Sequence, residues 1–140
     1  MRQKRRLVAG GGWLVAGAIV LLAACGGKVQ GDAARGAQLF TQPVKFERGD
    51  LQPCLECHAL KENEPSPSGI GTNFYGLADR AGSTVPGQSA EDYLRTSIVD
   101  PDAYLAGGFQ DGLMSRDYKT LLTPQQIEDL VAYMLTLKKP

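Results

Sequence analysis

Apolar positions recur with the spacing of an amphipathic helix in three stretches of the chain, and no stretch shows the alternation of a half-buried strand. In the first stretch, DAARGAQLFTQ, Asp32 is the expected N-cap and Ala33, Ala37 and Phe40 share one side. Pro43 cannot continue a helix, so the pattern predicts a short helix that ends before it.

The second predicted helix is SAEDYLRTSIVDP. Ser89 is its expected N-cap, and Asp92 stands at the capping-box position three residues later. Leu94 and Ile98 are four residues apart and form the apolar side, and Pro101 closes the segment.

The last predicted helix, TPQQIEDLVAYMLTLKK, has the most complete set of start signals. Thr123 is the N-cap, Pro124 occupies the first helical position and Gln126 completes a capping box. Acidic residues lie early and lysines late, in agreement with the helix dipole. The apolar stripe consists of Ile127, Leu130, Val131, Met134, Leu135 and Leu137.

The connecting stretches are rich in Gly, Pro and Ser and lack a hydrophobic period, which predicts loops at residues 43–53, 61–76 and 106–122. The predicted fold class is therefore all-α, with few helices and long loops. A domain of this size has a modest core and needs further support to stay folded.

Residues 1–24 have the features of an export signal: a basic start, an apolar run over residues 7–24 and small residues at the end. The segment LLAAC resembles a bacterial lipobox, which implies cleavage and lipidation at Cys25. The predicted organisation is a signal peptide at 1–24, the lipidated cysteine and a tether at 25–31, and a domain at 32–140. The alternative is an uncleaved membrane helix, for which the run is barely long enough. Both place the domain in the periplasm or at the outer face of the cytoplasmic membrane, anchored to that membrane.

Loss of the signal changes the charge balance. Four of the 15 Lys and Arg residues precede the apolar run, so 11 remain against 15 Asp and Glu. The exported part is mildly acidic, which excludes a nucleic-acid binder.

The sequence PCLECHAL carries the strongest chemical signal, because it places Cys54, Cys57 and the chain's one histidine, His58, on a single turn. A disulfide would close a tiny loop and stabilise little. A thioredoxin-like pair needs a βαβ context, and a structural zinc site needs four ligands. In an exported chain, CxxCH indicates covalent haem: the two thiols add to the haem vinyl groups and the imidazole binds the iron.

The chain resembles the class I cytochromes c over residues 32–138, through DAARGAQLF, CLECH, GTNFYG, YLRTSIVDP, GLM and LVAYMLTLK. The resemblance implies helices and loops wrapped around one covalently bound haem c. It also implies that the first helix crosses the last at a glycine beside an aromatic residue. Gly36, Phe40 and Tyr133 match those positions.

The second axial ligand is sought among the methionines, because there is no second histidine. Met1 belongs to the signal, and Met134 falls in an apolar stripe where methionine usually fills the core. Met114 lies in a glycine-bounded loop at the place of the family's GLM ligand loop, and is the predicted ligand opposite His58. His/Met ligation implies a one-electron centre with no position for a substrate, and hence an electron carrier rather than an enzyme.

Two residues depart from the family pattern. Thr72 stands where a proline usually offers its carbonyl to the histidine ligand, so the geometry of that hydrogen bond is an open question. Ser115 replaces the proline that often follows the ligand methionine.

The resemblance implies redox protein partners in a respiratory or photosynthetic chain. Segments such as LFTQPVKF and GLMSRDY resemble mono-haem cytochromes of bacterial respiratory complexes, including subunits of the quinol-oxidising alternative complex III. Two alternatives stay open. One is a haem enzyme of peroxidase or reductase type with an open iron position, and the other is a permanent, mainly structural subunit whose haem conducts electrons within a larger complex. Arg80, Tyr104 and Tyr118 are candidate partners for the haem propionates.

Overall fold

The computed structural model describes residues 29–46 and 49–140. Over these residues the chain forms five α-helices, one short 3₁₀ helix and one two-stranded antiparallel sheet. In chain order the elements are α1 (Ala33–Thr41), β1 (Val44–Phe46), β2 (Gly49–Leu51), the 3₁₀ helix (Cys54–Glu56), α2 (Leu77–Thr84), α3 (Ala90–Val99), α4 (Tyr118–Leu121) and α5 (Pro124–Met134). The predicted all-α class with few helices and long loops is confirmed, because only six of the described residues lie in a sheet.

The three predicted helices begin where their capping residues indicate. Asp32 accepts a hydrogen bond from the backbone N–H of Arg35, and Ser89 accepts one from Asp92. At α5 the capping box is complete, with Thr123 and Gln126 each bonding the other's backbone N–H. These contacts satisfy N–H groups that the first turn of a helix leaves without partners.

Three elements differ from the prediction. Helix α4 lies within residues 106–122, which were predicted as a loop. Residues 43–53 were predicted as a loop, but β1 and β2 pair there, with Val44 opposite Leu51. Strands of three residues are too short to show an alternating pattern. Helix α2 was not predicted, although Leu77 and Ala81 lie four residues apart and are both buried.

Helix α5 is shorter than predicted, because it ends at Met134. The backbone then tightens: Leu137 N–H bonds the Met134 carbonyl three residues back. The freed tail lies against the start of α2, where the Leu137 carbonyl accepts the N–H of Ala78 at 3.0 Å. The tail therefore contacts α2 instead of continuing the hydrogen bonds of α5.

The crossing of α1 and α5 organises the core. A Cβ atom on Gly36 would overlap the backbone carbonyl of Asp129 and crowd the Cβ of Tyr133, so only glycine allows this close approach. The rings of Phe40 and Tyr133 pack beside it with centroids 5.2 Å apart. The predicted crossing at Gly36, Phe40 and Tyr133 is confirmed. The buried apolar cluster around it contains Phe40, Leu51, Leu77, Ala81, Leu94, Ile98, Leu122, Leu130, Val131 and Met134.

A buried carboxylate joins the same two helices. Asp129 is 2% exposed, and its oxygens accept hydrogen bonds from Arg35 Nε at 2.8 Å and from the Asp32 N–H at 2.7 Å. Gln125 Nε2 donates a further bond at 2.8 Å. The Arg35 guanidinium is the main cause that lowers the pKa of Asp129 to about 2. The sequence analysis counted Asp129 only as an early acidic residue and missed its burial.

Within the described part of the chain, no helix combines the length and the apolar character needed to cross a bilayer. The predicted signal or anchor at 1–24 and the predicted lipidation site Cys25 lie outside the described residues. Both stay predictions.

Candidate haem site

The CxxCH sequence folds as one tight turn. Cys54 opens the 3₁₀ helix, and its carbonyl accepts the N–H of Cys57 at 3.1 Å and of His58 at 2.9 Å. Both cysteines are free thiols. The turn therefore brings the two predicted attachment residues and the predicted iron ligand together and does not use a disulfide.

The imidazole of His58 is fixed by a backbone carbonyl. Its Nδ1 lies 2.9 Å from the carbonyl oxygen of Thr72. A carbonyl can only accept, so Nδ1 carries the proton and Nε2 keeps a free lone pair, the form in which histidine binds a metal. Burial lowers the pKa of His58 and the bond to Thr72 opposes this, so the ring is held neutral.

Phe74 supports the imidazole from one side. Its ring stacks on that of His58 with centroids 4.1 Å apart and 23° between the planes. Its ring centroid also lies 5.8 Å from that of Phe40, which links the site to the helix crossing. Phe74 belongs to the GTNFYG segment, but nothing in the sequence predicted its role.

The segment that carries Thr72 is bonded back onto the CxxCH turn. Ser66 Oγ donates to the Cys57 carbonyl at 2.6 Å and accepts the N–H of Gly71 at 3.1 Å. A Cβ on Gly71 would overlap that same carbonyl, so the residue before Thr72 must be glycine for the two segments to touch. Sequence analysis missed Ser66, because a serine in a polar loop carries no signal of its partner.

Asn73 and Arg80 fix the other side of this segment. The Asn73 amide donates to the carbonyls of Lys61 and Glu64, both at 2.8 Å. The Arg80 guanidinium donates to the carbonyls of Asn73 and Tyr75, both at 2.6 Å. The long loop that holds the His58 partner is therefore pinned by side chains, although it has no regular structure.

The thiol environment fits an apolar group better than a thiolate-bound metal ion. Cys54 packs against the core, and burial raises the pKa of its thiol to about 12. Thiol exchange and zinc binding both need the thiolate. Among the described residues, no group of three or more His, Cys, Asp or Glu side chains could hold a metal ion. The donor set fits covalent haem and not zinc.

Exposed apolar side chains occur on several of the segments that carry the predicted haem-binding residues. The large apolar residues with the greatest exposure on the described surface include one on the CxxCH turn, one beside Gly71 and three in the loop of Met114. These residues are Leu55, Ile70, Tyr104, Leu105 and Leu113. Such side chains suit the faces and edge of an apolar macrocycle, so the residues present fit haem.

Met114 lies half-buried in the loop between α3 and α4. Helix α4 is linked to the CxxCH side, because Tyr118 Oη donates to the carbonyl of Gln52 at 3.3 Å. The described contacts do not join Met114 to His58, and its role as a ligand stays a prediction. Met134 is 5% exposed inside the apolar cluster, which confirms its expected place in the core.

Two of the three candidate propionate partners already have backbone partners. Arg80 bonds two carbonyls, and Tyr118, whose burial raises its pKa to about 12, bonds the Gln52 carbonyl. Tyr104 is exposed and packs edge-on against Tyr93. Their roles toward haem stay predictions.

Comparison with known proteins identifies the family of this chain. The family model described as cytochrome c matches residues 33–138. A search of curated protein sequences finds no match. Among solved structures, SoxXA from P. pantotrophus is similar with a TM-score of 0.46 and 21% identity, over 79% of this chain and 84% of that one. Because the family model covers the domain from α1 to the tail after α5, and CxxCH lies within it, the chain belongs to the cytochrome c family and has the family's covalently bound haem c.

Proposed function

We propose that this protein is a class I mono-haem cytochrome c that transfers single electrons between redox proteins. The observation that carries the proposal is the hydrogen bond between His58 Nδ1 and the Thr72 carbonyl at 2.9 Å. It leaves Nε2 of the chain's one histidine as a metal-binding lone pair beside two free thiols.

Each residue then has a separate task. Cys54 and Cys57 hold the haem through thioether bonds, and His58 binds one axial position in the orientation that Thr72 sets. Met114 supplies the opposite ligand, a soft thioether that favours ferrous iron. Bound haem c supplies a one-electron iron couple. With both axial positions taken there is no room for a substrate, and the one histidine is not free to act as a catalytic base.

The fold holds the His58 imidazole in one orientation. His58 is fixed by a hydrogen bond on its edge and by the Phe74 ring on its face. Phe74 packs in turn against the fully buried Phe40 at the helix crossing. These contacts hold the imidazole in one orientation, so the iron ligand should change little between oxidation states, which supports electron transfer.

The location belongs to the proposal as well. The export signal at 1–24 and lipidation at Cys25 would tether the domain to the outer face of the cytoplasmic membrane. A short tether raises the local concentration near a respiratory or photosynthetic complex, and the candidate is a quinol-oxidising complex of the alternative complex III type. Mass spectrometry of the mature N-terminus tests this step: an acylated Cys25 is expected, and an intact Met1 would rule out cleavage.

The decisive test is a redox titration with absorption spectra of the haem-loaded full chain. Wild type is expected to show a low-spin, thioether-ligated spectrum. Met114→Ala should lose that spectrum and have a lower potential, because the ligand that favours ferrous iron is gone. Met134→Leu is the matched control, since it conserves volume in the core and should leave both unchanged. An unchanged spectrum and potential in Met114→Ala would refute His/Met ligation.

A further inference from the structure

The carboxylate of Asp102 accepts hydrogen bonds from residues on both sides of Met114. Asp102 Oδ1 accepts the backbone N–H of Gly112 at 2.8 Å, and Asp102 Oδ2 accepts Arg116 Nε at 2.6 Å. Gly112 lies two residues before Met114 and Arg116 lies two residues after it. The two ends of a five-residue segment are therefore tied to the two oxygens of the same side chain, with Met114 at the centre.

Asp102 lies close to the end of α3, which is fixed to the rest of the fold. It follows α3 by three residues, in a turn closed by the Ala103 N–H to the Asp100 carbonyl at 3.0 Å. Helix α3 is fixed to α5 by the guanidinium of Arg95, which makes two bonds to Glu128 at 2.6 and 2.9 Å. Asp102 therefore lies three residues from the end of a helix that is itself fixed to α5.

The loop has few other connections to that scaffold. Among the described hydrogen bonds of residues 105–116, only the bonds to Asp102 reach back before the loop; the others, such as Phe109 N–H to the Ala106 carbonyl, stay local. Gly112 has φ +73°, so the backbone there takes a conformation that other residues rarely adopt. A loop of this kind has much conformational freedom to lose, and two charge-assisted bonds at its ends reduce that freedom.

The two bonds differ from an ordinary surface ion pair. The side chain of Asp102 is 17% exposed, whereas that of Arg116 is 67% exposed. A pair of exposed charges alone would stabilise little. Here the carboxylate is largely shielded and also accepts a backbone N–H, so its removal leaves that donor without its partner.

We propose that Asp102 is a positioning residue that keeps the Met114 thioether in place as the second axial ligand. The inference rests on the proposed His/Met ligation and adds to it the group that holds the ligand loop. Asp102 does not touch the iron. It lowers the fraction of molecules in which the loop swings away and the sixth position opens.

The test measures how easily Met114 is displaced. Imidazole is titrated into the ferric, haem-loaded full chain, because it can bind only where the thioether has left the iron. Asp102→Ala removes both bonds and should bind imidazole roughly tenfold more tightly than wild type, with a weaker thioether-to-iron absorption band. Asp102→Asn should give a smaller change, roughly threefold, because its amide oxygen can still accept the Gly112 N–H.

Asp92→Ala is the matched control. It removes a second Asp–Arg pair, with Arg95 at 2.8 Å, which lies within α3 and not in the Met114 segment. It should bind imidazole as wild type does. If Asp102→Ala does not fold or take up haem, Asp102→Asn is judged by the same titration.

The outcomes separate the two proposals. Suppose that wild type shows the thioether band and that the Asp102 variants bind imidazole no more tightly than wild type does. The positioning role is then wrong, and His/Met ligation stands. If wild type itself lacks the band and Met114→Ala binds imidazole equally well, the ligand assignment and the positioning role both fail. Tighter binding in the Asp102 variants but not in Asp92→Ala supports the positioning role.

Discussion

The Nδ1 atom of His58 lies 2.9 Å from the carbonyl oxygen of Thr72, fourteen residues further along the chain. Thr72 occupies the place of a proline in the family pattern, and the open question was whether the histidine would keep its partner. It does, because the bond uses the backbone carbonyl, which every residue has. The position of that carbonyl depends on Gly71 and Asn73 rather than on the side chain at 72.

Replacement of the Thr72 side chain should therefore have little effect. In Thr72→Ala the carbonyl stays, so the ferric spectrum should match wild type and the free energy of unfolding should change by no more than about 0.5 kcal/mol. Absorption spectra and denaturant unfolding of the haem-loaded protein measure both. A loss of low-spin character would show that the threonine side chain, and not only its carbonyl, orients His58.

Gly36→Ala should destabilise the protein strongly. Alanine favours a helix over glycine by about 1 kcal/mol. That gain is outweighed because the new methyl group would overlap the Asp129 carbonyl and force α1 away from α5. Overpacking costs about 1–3 kcal/mol, and overlap with a backbone carbonyl belongs at the upper end of that range, so a net loss of about 2 kcal/mol is expected in denaturant unfolding.

Gly107→Ala is the matched control for that substitution. No atom lies within 4 Å of a Cβ built on Gly107. Its unfolding midpoint should stay close to that of wild type. Equal stability of the Gly36 and Gly107 variants would mean that the helix crossing tolerates a wider separation than the packing indicates.

The stability of the protein should depend on the charge of Asp129 at low pH. The ordinary pKa of an aspartate is 3.8, and hydrogen bonds from Arg35 lower that of Asp129 to about 2 in the folded state. The folded state therefore releases this proton more readily, and the resulting stability is present above about pH 4 and is lost as the pH falls toward about 2. With allowance for solvent screening, the contribution is about 1–2 kcal/mol.

The comparison with Asp129→Asn isolates this contribution. Between pH 5 and pH 2 the wild-type free energy of unfolding should fall by about 1–2 kcal/mol more than that of the variant, which cannot titrate at this position. Asp50→Asn, at an exposed position in β2, is the control for the loss of a carboxylate at the surface. Parallel curves for wild type and Asp129→Asn would show that the ion pair does not link folding to pH.

Local sequence patterns were enough to predict the haem-binding motif and the three main helices. CxxCH places two thiols and an imidazole on one turn, and Asp32, Ser89 and Thr123 each cap a helix through a donor three residues away. These features depend on residues that are close along the chain, so a local pattern is enough to predict them.

Which distant groups contact one another could be learned from the folded chain alone. The Thr72 carbonyl reaches His58, Arg35 reaches a buried Asp129 that is 94 residues away, and Asp102 ties both ends of the Met114 segment. The short hairpin and the tail on α2 likewise carry no pattern of their own. Such contacts form because burial of the core brings remote segments together, and polar groups caught there must find partners that no local sequence rule specifies.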